Sequence, residues 1–294
     1  MNRRQFINRS TSLVAAGIVA RQNLFAEVTA KRNKGRIGIQ LYSIKDELEN
    51  DFIGSIKKLS DIGYSSVEPY GFTSDDFFNY TMKELSKIVT DMGMSISGSH
   101  IWSSININDP TDKDWDFWKN TANIVKSGGG KWAVQSSMPR VRNMDTLKRV
   151  VSYFNRAGEI CRQGGVKFAF HNHTECFIKI DDEEILDFLI KNTDSKSVFF
   201  QMDLGHTVNG GGDCIHYIRN YPKRILLWHA TDFDKTSKKY TVTGKGNVPY
   251  TELFDLAKSS GLEQLTVEQE TGGNIFASCK DSFDFLRQFK WTKV

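Results

Sequence analysis

The chain has 294 residues, with 39 basic and 35 acidic side chains, 5 prolines and 4 cysteines. This length suits one large α/β domain, and no linker rich in proline, glycine or serine divides the sequence. Without its first 26 residues the chain loses four arginines and no acid, so it becomes nearly neutral. A neutral surface argues against binding to nucleic acid, whose phosphate backbone requires a basic partner.

The N-terminal residues have the form of an export signal. Arg3 and Arg4 precede an apolar stretch, Leu13 to Ala20, which is too short to span a bilayer. Paired arginines followed by Phe-Ile resemble the twin-arginine signal of proteins that are exported after folding. An anchor or a lipoprotein leader is the alternative, but no cysteine follows the apolar stretch. We expect a signal over residues 1–26, a linker over 27–36, and a periplasmic protein without membrane contact once the signal is removed.

Eight short apolar runs then alternate with helical patterns. Strands are predicted at residues 37–43, 66–70, 94–100, 132–135, 166–171, 198–203, 225–229 and 265–268. Helices are predicted at about 51–63, 82–92, 115–126, 144–162, 183–190, 214–221, 250–259 and 282–289. Strict alternation predicts a parallel sheet, and eight units close into a single (β/α)8 TIM barrel over residues 37–294. The C-terminal ends of its strands meet at one mouth, which is where such barrels carry their active sites.

The sixth strand ends in the most informative motif, Asp203-Leu204-Gly205-His206. A carboxylate after an almost wholly apolar run is costly unless it is paired or bound to a metal. The alternative is an aspartate that caps the following helix. We favour a ligand or catalytic role, because His206 follows closely and a second polar residue, His229, ends the next strand. Alone, His229 would more often be a hydrogen-bonded core residue.

Two strands carry pairs of polar residues at a spacing of two, which places both members of a pair on one face. His171 and His173 form one pair, and together they could supply a metal ligand and an acid/base group. Glu268 and Glu270 form the other pair. We expect Glu268 to face inward, and Glu270 could instead be a solvated charge on the rim.

Further candidates lie at other strand ends and in a loop. Glu68 and His100 end the second and third strands, where a polar layer at the barrel mouth is as good an explanation as substrate contact. Lys245, between two glycines, could reach an oxyanion, although its loop lacks the spacing of a phosphate-binding loop. Four tryptophans could wall a sugar-sized pocket or belong to the core: Trp102, Trp115, Trp118 and Trp132. The cysteines lack zinc spacing, so we treat them as core or surface thiols.

Taken together, these motifs resemble the xylose isomerase-like barrel superfamily, and within it the sugar phosphate isomerase/epimerase family. The resemblance extends from Ile37 to about Phe289 and is carried by seven segments: Gln40-Leu41-Tyr42-Ser43, Gly63-Tyr64 with Val67-Glu68-Pro69-Tyr70-Gly71, Phe170-His171-Asn172-His173, Asp203-Leu204-Gly205-His206, His229-Ala230-Thr231-Asp232, Gly244-Lys245-Gly246 and Val267-Glu268-Gln269-Glu270. The motifs are specific for the superfamily and do not identify the substrate.

The resemblance implies a divalent metal ion, Mn, Zn, Mg or Co, held by His171, Asp203, His229 and Glu268. It implies catalytic roles for Glu68, His100, His173 and Lys245. Substrate contacts are expected from His206, Asp232 and Glu270.

The sequence departs from the family at three positions. His171 stands where many epimerases have a glutamate, which puts epimerisation by two metal-bound glutamates in doubt. Thr231 replaces a lysine that often precedes the aspartate after strand seven. Cys176 stands where a glutamate is expected, with Glu175 just before it.

We therefore expect a metal-dependent isomerase or epimerase that forms an enediolate on a free sugar or keto-sugar. A lyase or hydratase acting on a keto-glycoside would use the same site. A barrel that binds sugar without catalysis is the alternative of another class, and a DNA repair endonuclease is disfavoured by the neutral charge. The expected partner is a small carbohydrate, and assembly with identical chains is left open.

Overall fold

The computed structural model describes residues 36–72, 74–103, 106–271 and 273–293. The predicted export signal, residues 1–26, lies outside the described residues, as does the linker except for its last residue. Within the described ranges, no helix has the length and apolar character needed to cross a membrane.

Eight parallel strands form a barrel, which confirms the predicted fold. They are β1 (Ile37–Gln40), β2 (Ser66–Glu68), β3 in two pieces (Ser95–Ile96 and Gly98–Ile101), β4 (Trp132–Gln135), β5 (Lys167–His171), β6 (Val198–Asp203), β7 (Ile225–His229) and β8 (Gln264–Val267). Each strand pairs in parallel with the next along the chain, and β1 pairs with β8. The two pieces of β3 pair on opposite sides, one with β2 and the other with β4, so the sheet returns on itself.

Helices follow the strands around the barrel. They span Lys45–Asn50, Phe52–Ile62, Met82–Asp91, Asp112–Ser127, Met144–Gly164, Ile185–Asn192, Leu204–Asn209, Cys214–Asn220, Tyr250–Ser260 and Ile275–Leu286. Two short hairpins lie beyond the strand ends, Lys179–Ile180 with Glu183–Glu184 and Asp232–Asp234 with Lys239–Thr241. Most helices begin at a side-chain cap, such as Thr81, which forms a reciprocal capping box with Glu84.

The third strand differs from its prediction because it is interrupted at Ser97. The backbone of Gly98 lies so close to β4 that a Cβ atom there would come within 2.5 Å of the Trp132 carbonyl oxygen. The first strand is also shorter than predicted. The Gln40 side chain accepts a hydrogen bond from the Tyr42 amide and begins a 3₁₀ turn, Leu41–Ile44.

The last helix begins seven residues earlier than predicted and ends three residues earlier. The Asn274 side chain accepts a hydrogen bond from the Ala277 amide and so caps this helix. The helix buries Ile275, Cys279, Phe283 and Leu286, which recur at helical spacing. The helices Lys45–Asn50 and Leu204–Asn209 were not predicted, because each is only six residues long.

The core lies between the strands and the surrounding helices. Trp118 is buried in it and Trp115 packs against its edge, whereas Trp132 is buried in a second cluster with Val134, Ala169, Leu226 and Leu227. The four cysteines are buried and unpaired: Cys161, Cys176, Cys214 and Cys279. The polar residues that end β2, β5, β6 and β7 are also buried, namely Glu68, His171, Asp203 and His229, as is His100, one residue before the end of β3.

Candidate active site

Four side chains from adjacent strand ends converge at the barrel mouth. Each offers one ligand atom, and these atoms all lie within 4.8 Å of one another: His171, Asp203, His229 and Glu268. All four residues are buried. Two imidazoles and two carboxylates form a donor set suited to a divalent cation, and burial of this many ionisable groups is costly unless their charges are compensated. The residues present therefore fit the metal ion that the family motifs imply.

The neighbours of the two histidines identify the nitrogen atom that each would offer. Nδ1 of His171 lies 3.1 Å from the side-chain oxygen of Gln201, so Nε2 is the nitrogen left for a ligand role. Nδ1 of His229 lies 2.7 Å from Glu268, a member of the group. Nε2 of His229 lies 2.9 Å from Glu68, which does not belong to the group. Nδ1 of His229 is therefore the atom that faces the group.

Asp203 caps a helix and also lies among the side chains that could hold a metal ion. Its Oδ1 accepts a hydrogen bond of 2.6 Å from the His206 amide, so it caps the helix Leu204–Asn209. Its Oδ2 accepts a hydrogen bond from the Thr231 hydroxyl, and the carboxylate also belongs to the group of ligand atoms. Thr231, one of the departures from the family pattern, thus helps to orient Asp203.

The charges of the group are unevenly distributed. Burial lowers the pKa of His171, and the histidines around it lower this pKa further, so its imidazole is neutral. Burial also opposes a charge on His229, but Glu68 and Glu268 outweigh that effect and raise its pKa. The same pairing lowers the pKa of Glu268. Burial raises the pKa of Asp203.

A cavity of about 370 Å³ opens beside this group. Its wall contains three aromatic side chains on one side, Tyr42, Tyr70 and Trp102, which lie in mutual edge or tilted contact. The other lining residues are polar: His100, Ser136, Ser137, His171, His173, Glu268 and Glu270. A volume of this order and a mixture of aromatic and polar walls suit a small polyhydroxylated ring.

Two histidines at the cavity differ in protonation. Burial lowers the pKa of His173, and the nearby His206 lowers it further. Burial opposes a charge on His206 too, but Asp203 and Glu270 raise its pKa to about 9. The two rings are 4.8 Å apart. A neutral base and a protonated acid therefore stand side by side at neutral pH.

Glu268, Glu270, His100 and His173 all line the cavity, as expected from the sequence. His206 lies next to it and pairs with Glu270 at 3.3 Å. Glu68 is not on the cavity wall. It lies behind the histidines, where it accepts hydrogen bonds from Gln201 and faces His229.

Asp232 and Lys245 are not brought to the cavity. Both carboxylate oxygens of Asp232 accept hydrogen bonds from backbone amides, at Phe233, Gly244, Gly246 and Val248. This carboxylate therefore holds the loop 244–248 rather than presenting an oxygen to a ligand. The ammonium group of Lys245 is exposed and lies 3.1 Å from Asp281.

Sequence reasoning missed Gln201. It lies on β6 two residues before Asp203, so the two share a face, and it contacts Glu68, His100 and His171. The sequence feature that could have identified Gln201 is its position as a lone amide inside the apolar run Phe199-Phe200-Gln201-Met202. Tyr42 and Tyr70 were also not singled out as cavity residues, whereas Trp102 was.

The sequence matches the family described as xylose isomerase-like TIM barrel over residues 56–289. Among solved structures, a sugar phosphate isomerase/epimerase from Parabacteroides distasonis is 28% identical and has a TM-score of 0.79, covering 90% of this chain and 97% of its own. A D-psicose 3-epimerase from Clostridium cellulolyticum, 14% identical with a TM-score of 0.64, shares the fold over 87% of this chain and 99% of its own. The resemblance predicted from the motifs is confirmed.

Curated relatives include inosose dehydratases. The enzyme of Lactiplantibacillus plantarum is 25% identical over 249 residues, which cover 70% of this chain and 80% of its own. That of Clostridium perfringens is 24% identical over 148 residues, covering 44% and 49%. The chain thus spans about half the length of the Clostridium relative that it matches.

Proposed function

Because this chain belongs to the family of xylose isomerase-like TIM barrels, we propose that it is a sugar-modifying enzyme of the isomerase or epimerase type. It forms an enediolate on a free sugar or keto-sugar and depends on a divalent metal ion. The observation that carries this proposal is the convergence of His171, Asp203, His229 and Glu268 beside a sugar-sized cavity.

The residues at the cavity have distinct roles in this proposal. The aromatic side chains Tyr42, Tyr70 and Trp102 pack against the apolar face of a sugar ring. Ser136 and Ser137, on the wall of the same cavity, bind its hydroxyl groups. The ring is thereby oriented with its carbonyl end towards the buried group of histidines and carboxylates.

The proton-transfer step is assigned to His173 and His206. Neutral His173 accepts the proton from the carbon next to the carbonyl, and its lowered pKa keeps it unprotonated for this purpose. Protonated His206, held by Glu270, is the matching acid that returns a proton to the neighbouring carbon or oxygen. When bound by His171, Asp203, His229 and Glu268, a divalent ion supplies Lewis-acid polarisation of the carbonyl and its adjacent hydroxyl.

Dehydration is the second candidate, and the curated relatives favour it, since several are inosose dehydratases. It begins with the same removal of a proton next to a ketone. The enediolate then expels a β-hydroxyl group, to which His206 would give a proton. A keto-glycoside would react in the same way by losing its aglycone.

The predicted export signal supports a substrate without phosphate, because phosphorylated sugars are rare outside the cytoplasm. The described lining of the cavity agrees with this choice, because it contains neither lysine nor arginine. A periplasmic location and free sugars are therefore part of the proposal.

The proposal is tested with a panel of aldoses, ketoses, keto-polyols and keto-glycosides, incubated with the purified protein and Mn²⁺ and analysed by mass spectrometry and NMR. An isomerase gives a product of unchanged mass with new NMR signals, and a dehydratase gives a product lighter by one water. Activity should disappear with a chelator and return with Mn²⁺. Sugar binding without turnover of any panel member would identify the non-catalytic barrel instead.

A further inference from the structure

We infer that Glu68 and Gln201 are positioning residues, which together hold a proton on Nδ1 of His171 and on Nε2 of His229, so that the other nitrogen of each ring is the one available to a metal ion. This inference rests on the proposed metal site and gives Glu68 a role other than the catalytic one that the resemblance implies. It also gives a function to Gln201, which lies on β6 at the centre of a buried hydrogen-bond network.

The network runs across the barrel from β2 to β5 and β7. Nε2 of Gln201 donates to the two oxygens of Glu68, at 3.1 and 3.2 Å. The side-chain oxygen of Gln201 lies 2.7 Å from Nε2 of His100 and 3.1 Å from Nδ1 of His171. Glu68 also lies 2.9 Å from Nε2 of His229. All of these side chains are buried.

The chemistry of the partners determines the direction of every hydrogen bond. An ionised carboxylate only accepts, so the amide nitrogen of Gln201 must face Glu68 and its oxygen must face the histidines. Both histidine nitrogens at that oxygen must then carry protons. His171 therefore carries a proton on Nδ1, which leaves Nε2 for the ligand role. Glu68 likewise requires a proton on Nε2 of His229, which leaves Nδ1 for the ligand role.

Removing the charge of Glu68 changes the donor and acceptor directions of this network at one of two places. In Glu68→Gln, the new amide has one accepting and one donating end. If its oxygen faces His229, Gln201 keeps the 3.2 Å hydrogen bond to that oxygen but meets a nitrogen at 3.1 Å, and turning over to relieve this contact makes Gln201 present its own nitrogen to His171. If its nitrogen faces His229 instead, that histidine loses the proton from Nε2. In the first case His171 carries a proton on Nε2, and in the second His229 lacks the Nε2 proton that would leave Nδ1 free for a metal ion.

Exchanging the side chains of positions 68 and 201 should restore the hydrogen-bond directions of the natural protein. In the double variant Glu68→Gln/Gln201→Glu, the glutamine at position 68 accepts from His229 and donates to the glutamate at position 201. That glutamate accepts from His100 and His171, as the oxygen of Gln201 does in the natural protein. The net charge and the number of hydrogen bonds are also restored. Gln264→Glu is the matched control, because Gln264 begins β8 and its amide donates to Ser66 and Leu265, outside the network of Glu68 and Gln201.

The test is ¹⁵N NMR of histidine-labelled, metal-free protein, combined with calorimetric titration with Mn²⁺. In the natural protein we expect His171 to be protonated at Nδ1 alone. Glu68→Gln should move that proton to Nε2 or remove the Nε2 proton of His229, and should weaken Mn²⁺ binding by about 10- to 100-fold. The double variant should recover both the natural ¹⁵N pattern and most of the affinity, and the control should change neither.

Three results would overturn the inference. They are a natural protein with the His171 proton on Nε2, a folded Glu68→Gln variant with unchanged protonation and affinity, and a folded double variant that recovers neither. The NMR measurement needs no metal ion. If the natural protein has the expected proton positions but binds no Mn²⁺, the proposed function is refuted, whereas the inferred hydrogen-bond directions still hold.

Discussion

His173 and His206 show how position alone differentiates two identical side chains. They stand 4.8 Å apart, yet His173 has a lowered pKa and His206 a raised one. The difference arises from their carboxylate neighbours, because His206 faces Glu270 and lies near Asp203, whereas burial dominates at His173. The sequence predicted that both lie at the site. The motifs gave His173 a catalytic role and His206 a substrate contact, but they could not predict that His206 is protonated, since Glu270 joins His206 only after β6 and β8 are brought together.

His173→Gln tests the role of the base. We expect kcat to fall by about 10²- to 10⁴-fold, which is the usual contribution of a positioned base. Affinity for the metal ion should not change, because His173 is outside the group of four ligand residues. His216→Gln is the control, since His216 is exposed and contacts Asn220 on its own helix. Turnover by the His173 variant at the natural rate would exclude this assignment.

At the scale of elements, Asp232 shows what strand-end patterns cannot distinguish. A carboxylate after β7 is consistent with either substrate contact or backbone support, and nothing in the local sequence separates them. The structure places the loop 244–248 over this carboxylate, where four backbone amides donate to it. The strands and their polar ends could be predicted because apolar periodicity is local. The loop arrangement could not, because it depends on contacts between segments more than ten residues apart.

Asp232→Asn should therefore affect stability more than binding. An amide nitrogen would face two of the four backbone donors, and each lost hydrogen bond to a charged group costs about 1.5 to 3 kcal/mol. We expect the free energy of unfolding, measured with urea, to fall by roughly 3 kcal/mol or more. The Kd for Mn²⁺ should stay the same in the folded variant. Unchanged stability with a raised KM for sugar would instead support the substrate contact expected from the sequence.

At the scale of the whole molecule, the barrel brings together four candidate ligand residues, and the first and last of them, His171 and Glu268, are nearly one hundred positions apart in the sequence. Alternating apolar runs and helices were sufficient to predict this gathering, since closure of eight parallel strands brings their C-terminal ends together. The role of Gln201 could not be predicted in the same way. Its hydrogen bonds join β2, β3 and β5 across the interior of the barrel, and a single amide in an apolar strand does not indicate which side chains it will meet.

Binding of a metal ion should be linked to pH. In the metal-free protein Glu68 and Glu268 raise the pKa of His229, so this histidine is protonated at neutral pH. A ligand nitrogen must lose its proton, so protons compete with the metal and affinity should rise as pH increases from about 6 to 8. Calorimetry in buffers of different ionisation enthalpy should detect about one proton released per ion at pH 7. Affinity that does not vary with pH would show that His229 binds no ion.

The central claim is that His171, Asp203, His229 and Glu268 hold one divalent ion. Asp203→Asn tests it most directly, because asparagine also caps helices well and should preserve the helix Leu204–Asn209. Titration with Mn²⁺, followed by calorimetry, should give one ion per chain for the natural protein and an affinity lower by more than about 100-fold for the variant. Equal binding by both proteins, or no binding by the natural one, would contradict the account.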